Sequence, residues 1–209
     1  MPVDLIVCVA TELEGALLRA HLPVLVTGVG AVNAACALTR FLERKGARAV
    51  ISCGIGGAYP GMALPVASAV WAESEYYGDL GAASAGGFLD MRALGFPVIA
   101  GAEPLYNQMP VAIRPGGRTA PFVTVNTCTG DEASAREIET RTGGGVETME
   151  GVAIIHVATL YGIPAAEVRG ISNPVGNRDR AAWRVKEAAV AAQEALLAAW
   201  RLGELRPLA

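Results

Sequence analysis

Charge is scarce in this sequence. Asp, Glu, Lys and Arg make up 18% of its 209 residues, against 52% hydrophobic. A chain this apolar has a core to bury, which excludes global disorder. No run of basic residues occurs, and the formal net charge is −3, so a nucleic-acid face built on bulk charge is not expected. Histidine is almost missing: only His21 and His156 are present, far apart, which speaks against a zinc site of His and Cys. Cys8, Cys36, Cys53 and Cys128 form no C-x-x-C pair. No disulfide framework is legible, and a reducing compartment fits. No apolar window reaches the roughly 18 residues of a membrane span. The start, Met1-Pro-Val-Asp-Leu-Ile-Val-Cys8, lacks the charged leader and cleavage site of a signal peptide. A cytoplasmic protein with no membrane association is expected. The 25 Gly and 12 Pro follow no collagen period, so they punctuate turns.

What is present alternates between strand and helix. Val3 to Val9, Val24 to Thr27, Ala47 to Cys53, Val66 to Glu73, Phe122 to Asn126 and Ala166 to Ser172 read as short buried strands. Ala31 to Lys45, Asp131 to Arg141, Glu150 to Tyr161 and Arg178 to Leu202 read as helices. Thr129 or Asp131 is placed to cap the second. Trp183, Leu196 and Trp200 are expected to pack the last one. The Gly- and Pro-rich stretch Tyr76 to Gly117 reads as loops over a site or an interface. This order indicates an α/β domain with a mixed, mostly parallel sheet, and residues 1–209 are expected to form one domain.

Two glycine clusters follow strands. Gly28-x-Gly30-x-x-Asn33 imitates a dinucleotide fingerprint, but the third glycine is missing and the next strand does not end in an acid. The plainer reading is a tight turn. Gly54-Ile55-Gly56-Gly57 ends another strand. Two such strand ends point to a pocket at the carboxyl edge of the sheet. Neither carries the Lys and Ser or Thr of a phosphate loop. Glu12 and Glu14 follow the first strand, and Glu150 opens a helix, where a carboxylate is commonly a cap or dipole partner. Asn173 by itself is a turn residue. A cysteine hydrolase of Cys128 and His156 has no orienting third group, and His156 reads as a core or interface histidine.

Together these pieces resemble the nucleoside phosphorylase and nucleosidase superfamily. Cys8-Val-Ala-Thr-Glu-Leu-Glu14 is similar to its first strand and acidic turn, and Gly28-Val-Gly30 to its glycine turn. Cys53-Gly-Ile-Gly-Gly57 is similar to its Gly-rich loop, and Met149-Glu150-Gly151 to the motif that holds the ribose. Arg169-Gly-Ile-Ser-Asn173 is similar to the strand whose last residue faces the purine. Asn173-Pro-Val-Gly-Asn-Arg-Asp-Arg-Ala-Ala-Trp183, with Glu147-Thr-Met-Glu-Gly151, resembles the futalosine hydrolases. These enzymes remove hypoxanthine from futalosine, an inosine with a carboxyphenyl-oxopropyl group at its 5′ end, on a route to menaquinone.

The resemblance implies a three-layer α/β/α fold with a central mixed sheet, nucleoside phosphorylase-like. It implies catalytic roles for Glu14 and Asn173, and substrate binding by Glu150, Met149, Gly54, Ile55 and Gly56. It implies a small-molecule nucleoside substrate, no metal or organic cofactor, no nucleic acid, and a homo-oligomer built from dimers.

Two departures refine the expectation. Adenine-specific relatives carry Asp where Asn173 stands. The Asn amide donates to a 6-oxo group and accepts from a protonated N7. A 6-amino group would leave buried donors unpaired, at roughly 1–3 kcal/mol, so hypoxanthine or guanine is favoured. Ile55 replaces a hydroxyl residue that helps hold phosphate in phosphorylases, which favours hydrolysis. Several alternatives stay open: a methylthioadenosine/S-adenosylhomocysteine or aminofutalosine nucleosidase, a purine nucleoside phosphorylase, and a sensor that has lost catalysis. Which arginine meets the benzoate, Arg178 and Arg180 included, is open too.

Overall fold

The computed structural model describes residues 1–176 and 178–205. Strand β1 (Ile6–Val9) is apolar and buried throughout. Ile6 and Cys8 face one core, Val7 and Val9 the other, as the two-residue period of a strand requires. A short helix α1 (Glu12–Gly15) leads to β2 (Val24–Val26), α2 (Ala31–Arg44) and β3 (Val50–Ala58). Then come β4 (Ala69–Tyr77), the hairpin β5 (Gly81–Ser84) and β6 (Gly87–Asp90), β7 (Gln108–Pro110) and β8 (Thr119–Thr124). The chain continues through α3 (Glu132–Thr142), β9 (Val146–Thr148), α4 (Gly151–Leu160), β10 (Ala165–Pro174) and α5 (Val185–Leu202).

The main sheet is mixed. β1 lies parallel between β2 and β3. β10 runs parallel to β3 and antiparallel to β4. β4 pairs with β8, β8 with β9, and β9 returns antiparallel to the end of β3. Strands β3, β10, β4, β8 and β9 therefore close into a ring, from which β1 and β2 extend as an open wing. Helices α2 and α4 cover one face, and α1 and α5 the other. This is the three-layer α/β/α arrangement with a mixed sheet. Among the described residues no helix is long and apolar enough to cross a membrane.

Several elements differ from the expected ones. The glycines Gly54 to Gly57 do not end a strand but continue β3 to Ala58, because β10 pairs along that whole length. β4 begins at Ala69, after Ala67 turns at a φ of 62°, and runs on to Tyr77 because β7 and β8 pair with its polar end. The stretch Tyr76 to Gly117 carries the β5–β6 hairpin and β7 rather than loops alone. Asp131, not Thr129, caps α3, accepting from the Ser134 amide. The last helix starts at Val185 rather than Arg178. The Asp179 side chain accepts from the Ala181 amide and caps a single tight turn, Arg180–Ala182, after which Trp183 is extended. Asn177 of the motif, like residues 206–209, lies outside the described residues. Trp200 is 40% exposed and rests on His21, with 6.2 Å between ring centroids. Leu196 packs as expected, and the rest of the buried face of α5 is made by alanines with Gln193 and Leu197 rather than by tryptophan.

Those alanines let α5 lie almost against the sheet. At Gly170 of β10 a methyl group would overlap the Ala188 carbonyl. Gly170→Ala should therefore destabilise the fold by about 3 kcal/mol, the upper range for overpacking a rigid core. Gly101→Ala, with no neighbour within reach, should stay within about 0.5 kcal/mol. Urea unfolding of both variants checks this, and equal midpoints would contradict it.

Candidate active site

A cavity of about 480 Å³ opens where the parallel strands β1, β3 and β10 end, at the carboxyl edge of the sheet. Residues distant in sequence meet there: Glu14 after β1, Ile55 and Gly56 on β3, Met149 and Glu150 between β9 and α4, and Asn173 on β10. Gly54, expected to touch substrate, is outside the cavity lining. It lies beneath, where the Glu14 carboxyl and the Arg169 guanidinium occupy the space of a side chain.

The chain leaving β1 folds into a capping box that holds Glu14. The amide and hydroxyl of Thr11 donate to its Oε2 at 2.9 and 2.8 Å, and the Ile55 amide donates to Oε1 at 3.0 Å. Three donors thus fix a carboxyl that is 5% exposed. Glu150 stands at the N-cap of α4, the positive end of the helix dipole. Its Oε1 accepts from the Gly30 amide at 2.8 Å, and its Oε2 faces Arg169 Nη1 at 3.5 Å. Burial pushes the Glu150 carboxyl above the usual range, while Arg169 and the Gly30 amide pull it back. The Gly28-x-Gly30 turn therefore serves a carboxylate of the protein itself.

The motif Arg169-Gly-Ile-Ser-Asn173 by itself assigns Arg169 no role. It is 1% exposed. Its Nε donates to Glu167 Oε1 at 2.7 Å and its Nη2 to Ser52 Oγ at 3.1 Å. Burial alone would pull the guanidinium down, but the charges of Glu167, Glu150 and Glu14 outweigh it and hold it above its ordinary value. The available signal was Glu167-Val-Arg169 inside an apolar strand. Opposite charges two apart share one face, and burial requires that they be paired.

The Asn173 amide is oriented by its neighbours. Its Nδ2 donates to the Pro174 carbonyl at 2.8 Å, and its Oδ1 accepts from Ser172 Oγ at 2.7 Å. Flipped, its oxygen would face the Pro174 oxygen. Met149 Sδ lies 3.3 Å from Cys128 Sγ. The Thr129 amide and the Tyr59 hydroxyl both donate to the buried Glu147, at 2.9 and 2.8 Å. Burial, then the Glu147 charge, push the Cys128 thiol upward. His156 accepts or donates at Nδ1 to Tyr77 Oη over 2.7 Å and does not line the cavity. A raised thiol and a histidine bound elsewhere do not make a nucleophile and its base. Leu13, Val29, Arg178 and Trp183 complete the wall, with the Arg178 guanidinium 5.7 Å from the centre of the Trp183 ring.

The description "Phosphorylase superfamily" belongs to the family model that matches residues 14–201. The futalosine hydrolase of Streptomyces coelicolor is 38% identical over 190 residues, covering 88% of this chain and 78% of that protein. The futalosine hydrolase of Thermus thermophilus is 34% identical, covering 78% and 73%. Among solved structures, the futalosine hydrolase of Helicobacter pylori superposes with a TM-score of 0.78 at 13% identity, over 96% of this chain and 98% of that one. A methylthioadenosine/S-adenosylhomocysteine nucleosidase from Colwellia psychrerythraea, in complex with adenine, gives 0.78 at 19% identity over 98% and 96%. The two structures share the fold, and the sequence relatives narrow it: the chain belongs to the phosphorylase superfamily and, within it, to the futalosine hydrolase family.

Proposed function

We propose that this protein hydrolyses the N-glycosidic bond of futalosine, releasing hypoxanthine and dehypoxanthine futalosine in menaquinone biosynthesis. The observation that carries this reading is the meeting of Glu14, Met149, Glu150 and Asn173 in one cavity, in a chain related to futalosine hydrolases. In the proposed mechanism Glu14 orients a water for attack on the anomeric carbon and takes its proton. Glu150 accepts from the ribose hydroxyls and favours the positive charge that develops on the sugar. Met149 packs against the sugar, and Asn173 receives the leaving 6-oxopurine. Ile55 offers its amide to Glu14 and no hydroxyl for phosphate. The buried cation beside it, Arg169, already faces Glu14, Glu150 and Glu167. A phosphate there would meet carboxylates, so water is the favoured nucleophile.

Among the described residues Arg178 is the cation of the cavity wall and stands beside an indole, which suits the aryl carboxylate at the 5′ end of futalosine. Free cysteines support a cytoplasmic setting. Val29, exposed at the cavity wall, and Val32, 81% exposed on α2, support burial against a second copy in a dimer.

Base release from futalosine, aminofutalosine, inosine and methylthioadenosine, with and without phosphate, tests the reading. Hypoxanthine from futalosine without phosphate is the expected result. Adenine release or a phosphate requirement would overturn it. Glu14→Gln should lower kcat by about 10²- to 10⁴-fold, as removal of a general base does, while the fold persists, as circular dichroism would check. Asn173→Asp should move the 6-oxo to 6-amino preference by about ten- to a hundredfold, the equivalent of an unpaired buried donor; an unchanged ratio contradicts the base-reading role. Arg178→Ala should raise KM for futalosine and leave inosine cleavage unaltered, and an equal effect on both would exclude Arg178 as the benzoate partner.

A further inference from the structure

Glu75 and Glu167 lie inside the ring of strands, and the mechanism above gives them nothing to do. Both are 0% exposed. Thr124 Oγ1 donates to Glu75 Oε2 at 2.9 Å, and Thr148 Oγ1 lies 2.8 Å from Thr124 Oγ1 but 3.4 Å from Glu75 Oε1. With the Thr124 proton on Glu75 Oε2, the shorter contact takes the Thr148 proton, and Glu75 Oε1 keeps only the long 3.4 Å contact. Glu167 Oε1 accepts from Arg169 at 2.7 Å, yet its Oε2 is buried with no hydrogen-bond partner. The two leftover oxygens crowd the same point above Gly151, where any side chain would overlap both. Two bare carboxylates so close in a dry site would repel strongly, and a buried acceptor left unpaired carries its full desolvation cost. One proton removes both problems.

We propose that Glu75 is a neutral carboxylic acid whose Oε1–H donates to Glu167 Oε2, and that this pair positions Arg169 and, through it, Glu150. Only the link to Glu150 rests on the nucleosidase reading. Four buried carboxyls, Glu14, Glu75, Glu150 and Glu167, surround one guanidinium, and one held neutral reduces the uncompensated charge. Burial first, then the charge of Glu167, lift the Glu75 carboxyl well above its usual range, against Thr124 and Arg169. The ionisable groups facing it are Glu167 and Arg169 on β10, with Tyr77 on its own strand. From β8, β9 and α4 it meets Thr124, Thr148 and Gly151. A Glu75 amide would keep the donor toward Glu167 and the acceptor toward Thr124, whereas an apolar side chain would keep neither.

Infrared spectroscopy of the whole protein at neutral pH, in H2O and D2O, reads the proton directly. Wild type should show a deuterium-sensitive protonated-carboxyl component that Glu75→Gln removes. Identical spectra would overturn the proposal. Glu75→Leu should lower kcat for futalosine at least about tenfold with little change in KM, and Glu75→Gln should restore it to within about twofold; equal losses would overturn the proposal. Between the ordinary carboxylate range and the raised value the folded state holds one proton more than the unfolded chain. The thermal midpoint of wild type should thus fall relative to that of Glu75→Gln as pH rises from about 5 to about 9, and a constant difference counts against the neutral acid. Should Glu75→Leu not fold, the spectra and midpoints of Glu75→Gln decide. Should wild type cleave no nucleoside, the functional reading falls while the spectra still judge the pair.

Discussion

A guanidinium enclosed by carboxyls governs the interior of this protein. Arg169 is almost without solvent, and a charge in that position costs several kcal/mol unless its surroundings compensate it. Compensation comes from Glu167 on the same strand, from Glu150 at the start of α4 and from Glu14 after β1. Each comes from a different stretch of chain, so satisfying one buried charge ties three elements together. The same requirement leaves no room for side chains at Gly54, under Glu14 and Arg169, or at Gly151, above Glu75 and Glu167. Glycines that look like ligand-binding features in a sequence are here required by the protein's own charged groups.

The ring of strands explains how such a cluster is tolerated. Its walls carry apolar side chains into two cores, and its interior collects the polar groups of β3, β4, β8, β9 and β10: Ser52, Glu75, Thr124, Thr148, Glu167 and Arg169. Hydroxyls and an N-terminal amide of α4 extend the network, as with the Val152 amide on Thr124 at 2.8 Å. Each pairing in a buried network of this kind restricts the motion of its members. Such restriction keeps two carboxyls, Glu14 and Glu150, at fixed places in the cavity wall.

Much of the site was legible because its residues sit in short local patterns. Thr11 to Glu14 is a capping box written in four consecutive letters, and Met149-Glu150 precedes an apolar helix. Asn173 closes a strand that reads as buried. The strand pattern also exposed the order of α/β alternation. Less legible were β9, only three residues long, and the start of α5, where helical letters from Arg178 onward give way to a capped tight turn. Short strands and helix starts are decided by pairing and capping partners, which periodicity does not contain.

The sequence alone determined the class of fold and singled out two glutamates and an asparagine that meet in one cavity. Those depend on nearest-neighbour patterns and on a family resemblance carried by contiguous motifs. Tertiary structure alone decided that β3 continues through its glycines, that the Gly30 amide serves Glu150, and that Arg169 joins Glu14, Glu150 and Glu167. Each of these pairs residues many positions apart. Which distant charges meet is set by strand register and ring closure, quantities that exist only once the chain has folded.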